Sequence, residues 1–114
     1  MKILNVSRQT VIARDVKLAN NFFSRFKGLL AVKNFPAQSA LVLKPCDSIH
    51  TFFMRFPIDV FFANKENKII KIYRELKPWR LSGVFFKSRL CVELPDGSLD
   101  ASRTQEGDRI EIIG

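Results

Sequence analysis

Cysteine is scarce in this sequence: Cys46 and Cys91 are too few for a disulfide framework, and neither belongs to a CxxC pair of the kind that marks zinc or redox chemistry. Both are read as reduced, buried thiols, and no metal or cofactor is expected. Histidine is scarcer still, with His50 alone. Long apolar runs are missing, and nothing approaches the roughly 18 consecutive apolar residues that a membrane-spanning helix needs. The opening MKILNVSRQTVIARD is interrupted at Asn5, Ser7 and Arg8, too early for a secretory signal, so the cytoplasm is the expected compartment. Repeats, linkers and low-complexity tracts are absent as well. Residues 1–114 are therefore expected to form a single domain, with a monomer as the default state.

Apolar residues and positive charge are what the chain has in quantity. Hydrophobic residues make up 46% of it, among them 11 Phe, enough to fill one core without metals or disulfide staples. Lys and Arg outnumber Asp and Glu by 19 to 11, and the excess is uneven: residues 65–89 hold 8 basic and 2 acidic side chains, whereas 90–114 hold 2 and 6. A field of this kind favours anionic partners such as nucleic acid, phosphate esters or acidic membrane surfaces, although solubility alone also accounts for it.

Short β-prone runs at 2–6 and 10–14, separated by Ser7, Arg8 and Gln9, predict an opening hairpin. The period then changes. Leu18, Phe22, Phe23, Phe26, Leu29 and Leu30 fall at helical spacing with polar residues between them, which predicts an amphipathic helix ending before Asn34 and Pro36. Further strands are expected at 39–43, 49–54, 58–63, 68–74, 89–94 and 109–113, with turns at 64–67, 95–97 and 107–108. The resulting expectation is a mainly β (β-rich α+β) fold, a small barrel- or sandwich-like antiparallel sheet with one short N-terminal amphipathic helix. Segment 77–88 has no clear period and reads as an extended loop.

The densest set of reactive side chains is Cys46-Asp47-Ser48-Ile49-His50-Thr51, followed by Arg55 and Asp59. His50 is the only side chain with an unperturbed pKa suited to acid–base work near neutrality. If 49–54 is a strand, His50 shares a face with Ser48 and Met54, and Asp59 on the next strand can orient its ring. A Ser48/His50/Asp59 or Cys46/His50/Asp59 arrangement is then conceivable, since a base held by a carboxylate activates a hydroxyl or thiol. No nucleophile elbow surrounds Ser48 or Cys46, and the plain alternative is a histidine satisfied within a β domain. Arg55 either presents its guanidinium to an anion or bridges to Asp59. Glu93, inside an apolar run, sits on a solvent face or is buried beside an arginine such as Arg25, Arg55 or Arg80. In KPWRLSGVFFKSR, Trp79, Phe85 and Phe86 alternate with Lys77, Arg80, Lys87 and Arg89, a composition suited to phosphate contacts and base stacking. The alternative is that the rings close one end of the fold while the charges stay solvated.

RFKGLL (25–30), CDSIHTFFMRFPIDVFF (46–62), LKPWR (76–80), VELPDG (92–97) and EGDRIEI (106–112), in this order and spacing, resemble the bacterial and archaeal proteins grouped as domain of unknown function 192, or uncharacterised protein family 0127. The resemblance covers nearly the whole chain and implies a compact β-rich fold with one early helix. It supplies no activity. The matching positions include Arg25, Gly28, His50, Thr51, Arg55, Asp59, Trp79, Glu93 and Gly97. Leu30 and Asp96 depart from the usual Met and small residue, and AVKNFP lacks an Arg common there, which would weaken any shared anion site.

The expectation that follows is an accessory binding domain rather than an enzyme. In it Arg25, His50, Thr51, Arg55, Asp59 and Glu93 line a cleft for a small polar or anionic ligand, because polar groups inside apolar strands are costly unless paired or used. The alternatives are a nucleic-acid binder using Lys77, Trp79, Arg80, Lys87 and Arg89, and a hydrolase using His50 with Asp59.

Overall fold

A computed structural model describes residues 1–19, 35–52 and 54–114. Among these residues the strands are β1 (Lys2–Asn5), β2 (Thr10–Ala13), β3 (Asp15–Ala19), β4 (Ser39–Leu43), β5 (Ile58–Ala63), β6 (Ile69–Leu76), β7 (Leu90–Pro95) and β8 (Ile110–Ile113), with one short helix, α1 (Ser98–Ala101), between β7 and β8. Two sheets result, a three-stranded one in the order β2-β1-β8 and a five-stranded one in the order β3-β4-β7-β5-β6.

The predicted opening hairpin forms, with β1 and β2 antiparallel and Asn5 Oδ1 accepting from the Arg8 amide at 3.0 Å across the turn. The turn at 64–67 follows from the same chemistry. Asn64 Oδ1 accepts from the Glu66 and Lys68 amides, and Asn67 takes the left-handed conformation at φ 59°, which asparagine tolerates. Strand β5 (IDVFFA) lies between β7 and β6 and is buried at every position, so it reads as a near-continuous apolar run rather than an alternation.

Each face of the five-stranded sheet has its own core. Phe61, Ala63, Val92, Leu94, Val42 and Ile72 pack with Ile3, Ile12 and Ile110 of the smaller sheet and with Leu99 of α1. On the opposite face Ile58, Val60, Phe62, Cys91 and Leu43 pack under Cys46, Ile49, Met54 and Phe85, which come from the loops 44–57 and 77–89. Phe61 and Phe62 are fully buried, each worth roughly 1.5–3 kcal/mol in transfer terms.

Four expectations are corrected. No closed barrel forms among the described residues: β3 and β6 end the five-stranded sheet, and the smaller sheet covers only one of its faces. The sheet is mixed rather than purely antiparallel, because β3, absent from the sequence-based expectation, runs parallel to β4. Leu18 and Ala19, the start of the predicted helix, belong to β3, and the remainder of that helix lies outside the described residues. Finally, the described residues of 49–54 form no strand and have among them only an isolated bridge between His50 and Leu81. Thr51 accounts for this. Its carbonyl accepts from the Met54 amide at 3.2 Å in a local turn and from the Trp79 amide at 3.0 Å, so the segment bends instead of running on beside a neighbouring strand. Among the described residues no helix is long and apolar enough to cross a membrane.

Candidate functional site

Loops 44–57 and 77–89 are laced together over the sheet. The lacing starts where the Cys46 amide donates to Arg89 O at 3.2 Å and Ser88 Oγ donates to Cys46 O at 2.8 Å. It continues through Phe85 N to Asp47 O at 2.8 Å and through a reciprocal pair, Ile49 N to Ser82 Oγ at 2.8 Å and Ser82 N to Ile49 O at 3.0 Å. Thr51 completes it. Fully buried, Thr51 donates Oγ1–H to Lys77 O at 2.6 Å, accepts on Oγ1 from the Arg80 amide at 2.9 Å, and donates its own amide to Arg80 O at 2.9 Å. Beneath the loops Phe85 packs on Phe62 with ring centroids 4.9 Å apart, and the Tyr73 hydroxyl accepts from the Gly83 amide at 2.9 Å. The long aperiodic segment is thus an anchored cover whose inner side is fully engaged.

Its outer side is different. His50 is exposed, its Nδ1 accepts from the Phe52 amide at 3.2 Å, and its ring lies 4.9 Å from Phe52. Phe52 in turn stacks on Trp79 at 5.8 Å and 28°. Trp79 holds φ 65°, an uncommon conformation for a non-glycine residue, while its amide is bonded to Thr51 O. This row of rings, with Lys77 and Arg80 beside it in sequence, occupies one end of the lacing.

A groove of about 1050 Å³ lies at the other end, lined in part by Leu18, Lys44, Lys65, Glu66, Phe86, Lys87 and Arg89. Four chain segments meet there, namely β3 at Leu18, the end of β4, the β5–β6 turn and the approach to β7. The Arg89 amide donates to Ala63 O at 2.8 Å and the Asn64 amide to Lys68 O at 3.0 Å, so strand ends fix the walls. Lys44, Lys65, Lys87 and Arg89 are exposed and, among the described residues, make no ion pair. Among the described residues Glu66 is the one acid on the lining, and the Phe86 ring is 88% exposed at the lip.

The residues singled out from the sequence have the following partners. Asp59 is buried, and its carboxylate accepts the Glu75 amide on Oδ1 at 3.0 Å and the Leu99 amide on Oδ2 at 2.9 Å, tying β5 to β6 and to the start of α1. The expected Arg55–Asp59 bridge does not form, and Arg55 is exposed. Among the described residues no hydrogen bond joins His50 to Ser48, Cys46 or Asp59. Ser48 Oγ donates to Asp47 Oδ1 at 3.3 Å, and the buried Cys46 thiol donates to Ser48 O at 3.1 Å. Glu93 is buried on the loop-covered face of β7, opposite Val60 and Leu41. Arg25 lies outside the described residues. Of the cluster Arg25, His50, Thr51, Arg55, Asp59 and Glu93, the structure places Thr51, Asp59 and Glu93 as buried and His50 and Arg55 as exposed. Of the basic-aromatic set, Lys77, Trp79 and Arg80 sit at the ring end, and Lys87 and Arg89 line the groove. Sequence reasoning missed Lys44 and Lys65. The available signal was a lysine just past the end of two separate strands.

A family model for DUF192, described as uncharacterized ACR, matches residues 3–112. The UPF0127 protein of Pyrococcus furiosus is 34% identical over 114 residues, covering 96% of each chain. That of Pyrococcus horikoshii is 30% identical over the same length and the same shares. Among solved structures, a protein of unknown function from Novosphingobium aromaticivorans is similar with a TM-score of 0.82, over 97% of this chain and 82% of that one, at 16% identity. At that identity the likeness concerns the fold alone.

Proposed function

The chain belongs to the DUF192 family, a membership that brings no activity with it, and on that footing we propose that it is a non-catalytic binding domain for a phosphate-bearing ligand held in the groove of Lys44, Lys65, Lys87 and Arg89. One observation carries this reading: four exposed cations from three separate segments converge on one concavity against the single acid Glu66. Like charges brought together repel one another and lower stability, and a bound anion relieves that repulsion. Lysine ammonium groups supply rotatable point charges, and the Arg89 guanidinium offers a planar fork that matches two phosphate oxygens. Phe86 at the lip adds an apolar surface for the rest of the ligand.

Sodium pyrophosphate is the probe that tests it. Titration into the 15N-labelled domain is expected to shift the amides around Lys44, Lys65, Lys87 and Arg89 saturably, and added salt is expected to weaken binding. Reversing one charge with Lys87→Glu should weaken binding by at least about tenfold, the equivalent of about 1.4 kcal/mol. Absence of any saturable shift at these positions, or an unchanged affinity in Lys87→Glu, overturns the proposal.

A further inference from the structure

Among the described residues, the four most exposed large apolar side chains all belong to one 13-residue segment. They are Phe86 at 88%, Leu81 at 70%, Trp79 at 56% and Val84 at 54%, all within 77–89. The same segment carries Lys77, Arg80, Lys87 and Arg89 and no acid. Soluble proteins rarely gather exposed apolar groups in this way unless a partner covers them. These groups are not the fringe of a loose loop. The backbone behind them is bonded to Thr51, Ile49 and Asp47, and Phe85 is sunk against Phe62 and Tyr73. The outward display is therefore built into the fold.

We propose that loop 77–89 docks this domain onto an anionic lipid bilayer. Trp79, Leu81, Val84 and Phe86 enter the interfacial layer while the cations face the headgroups and the groove receives a lipid phosphate. The last part rests on the phosphate reading of the groove. The chemistry of the loop selects this partner over a single nucleic-acid strand. Bases stack on rings and would use Trp79 and Phe86, but they have no use for the branched aliphatic chains of Leu81 and Val84, whereas a bilayer interface takes all four. Basic side chains with apolar stems, placed among aromatic rings, match the interface on its charged side as well. The domain would lie on the membrane surface.

Trp79 is the only tryptophan, so its intrinsic emission reports on this surface alone. The test is co-sedimentation and fluorescence with phosphatidylcholine vesicles containing or lacking phosphatidylglycerol. Sedimentation and a blue-shifted Trp79 emission are expected with the anionic vesicles only. The Leu81→Ser/Val84→Ser double variant changes two exposed side chains that do not line the groove. It should bind those vesicles at least about tenfold more weakly while its pyrophosphate titration stays that of the unaltered protein. Failure to sediment with either vesicle, or sedimentation that the double variant leaves unchanged, overturns the docking. If the pyrophosphate shifts persist in that case, the groove reading stands without it; if they are absent, both fall. Oligothymidylate binding that moves Trp79 emission in a protein that ignores anionic vesicles would also overturn the docking, in favour of nucleic acid.

Discussion

Asp108 is among the most heavily used polar side chains of the domain, and its role is structural. Its Oδ2 accepts from Asn5 Nδ2 at 3.0 Å, from Arg8 Nε at 3.0 Å and from the Gln105 amide at 2.9 Å, closing the turn that leads into β8. Burial alone would raise its pKa, but the Arg8 and Asn5 hydrogen bonds, the Gln105 amide and the Arg8 charge together outweigh it and hold the carboxyl below its ordinary value. A depressed carboxylate contributes stability that is fully present above the unfolded value of about 3.9 and is lost as pH falls through the lower folded value. Asp108→Asn is accordingly expected to cost about 1–3 kcal/mol at pH 7 and to lose less stability on acidification below about pH 4 than the unaltered protein. Urea unfolding at neutral and acid pH measures both, and parallel pH profiles would show that Asp108 is not the group responsible. The turn at Gly107-Asp108 was legible in the sequence, whereas the three partners, one of them more than 100 residues away, were not. Asp59 shows the opposite case. Nine residues after the lone histidine, it invites a catalytic reading, yet its two oxygens hold the amides of Glu75 and Leu99.

Among the elements, the paired loops teach more than the strands. A run such as IHTFFM has strong β propensity, but strand identity requires a partner along its length, and among its described residues only the His50–Leu81 bridge is available. Thr51 decides the local path by bonding Lys77 and Arg80 from inside the core. Thr51→Val keeps the shape and removes the hydroxyl, leaving the Lys77 carbonyl and the Arg80 amide without that partner. The expected cost is about 1–3 kcal/mol, with amides of 77–82 exchanging faster and those of β7 changed only through global stability. Uniform acceleration across all elements, with no added effect at 77–82, would show that Thr51 does not govern the loop. Strand β3 was illegible for a related reason. Asp15–Ala19 has only Val16 and Ala19 buried and pairs along one side, with β4, so its sequence carries little apolar pattern.

For the whole molecule, the sheet order sets the hierarchy of stability. Strands β7 and β5 are central in the five-stranded sheet and covered on both faces, so their amides should open only with global unfolding, while those of β2 and β3, at sheet ends, should open at lower cost. Native-state hydrogen exchange checks this, and protection in β2 equal to that in β7 would contradict it. The net charge of +8 is also a property of the whole chain, but its effect depends on where the fold places the charges. Lys44, Lys65, Lys87 and Arg89 come from separate segments and meet only because three strand ends do.

The mainly β class, seven of the eight strands, the turns at 64–67, 95–97 and 107–108 and the family were determined by the sequence alone, because alternation, turn residues and motif spacing are local quantities. Tertiary structure decided the rest: the parallel placement of β3, the open two-sheet arrangement, the bend at Thr51, the commitment of Asp59 to backbone amides and the gathering of the groove cations. Each of these depends on which distant groups become neighbours, and a buried hydrogen bond or a cluster of like charges has no energy to reveal until the fold has brought its members together.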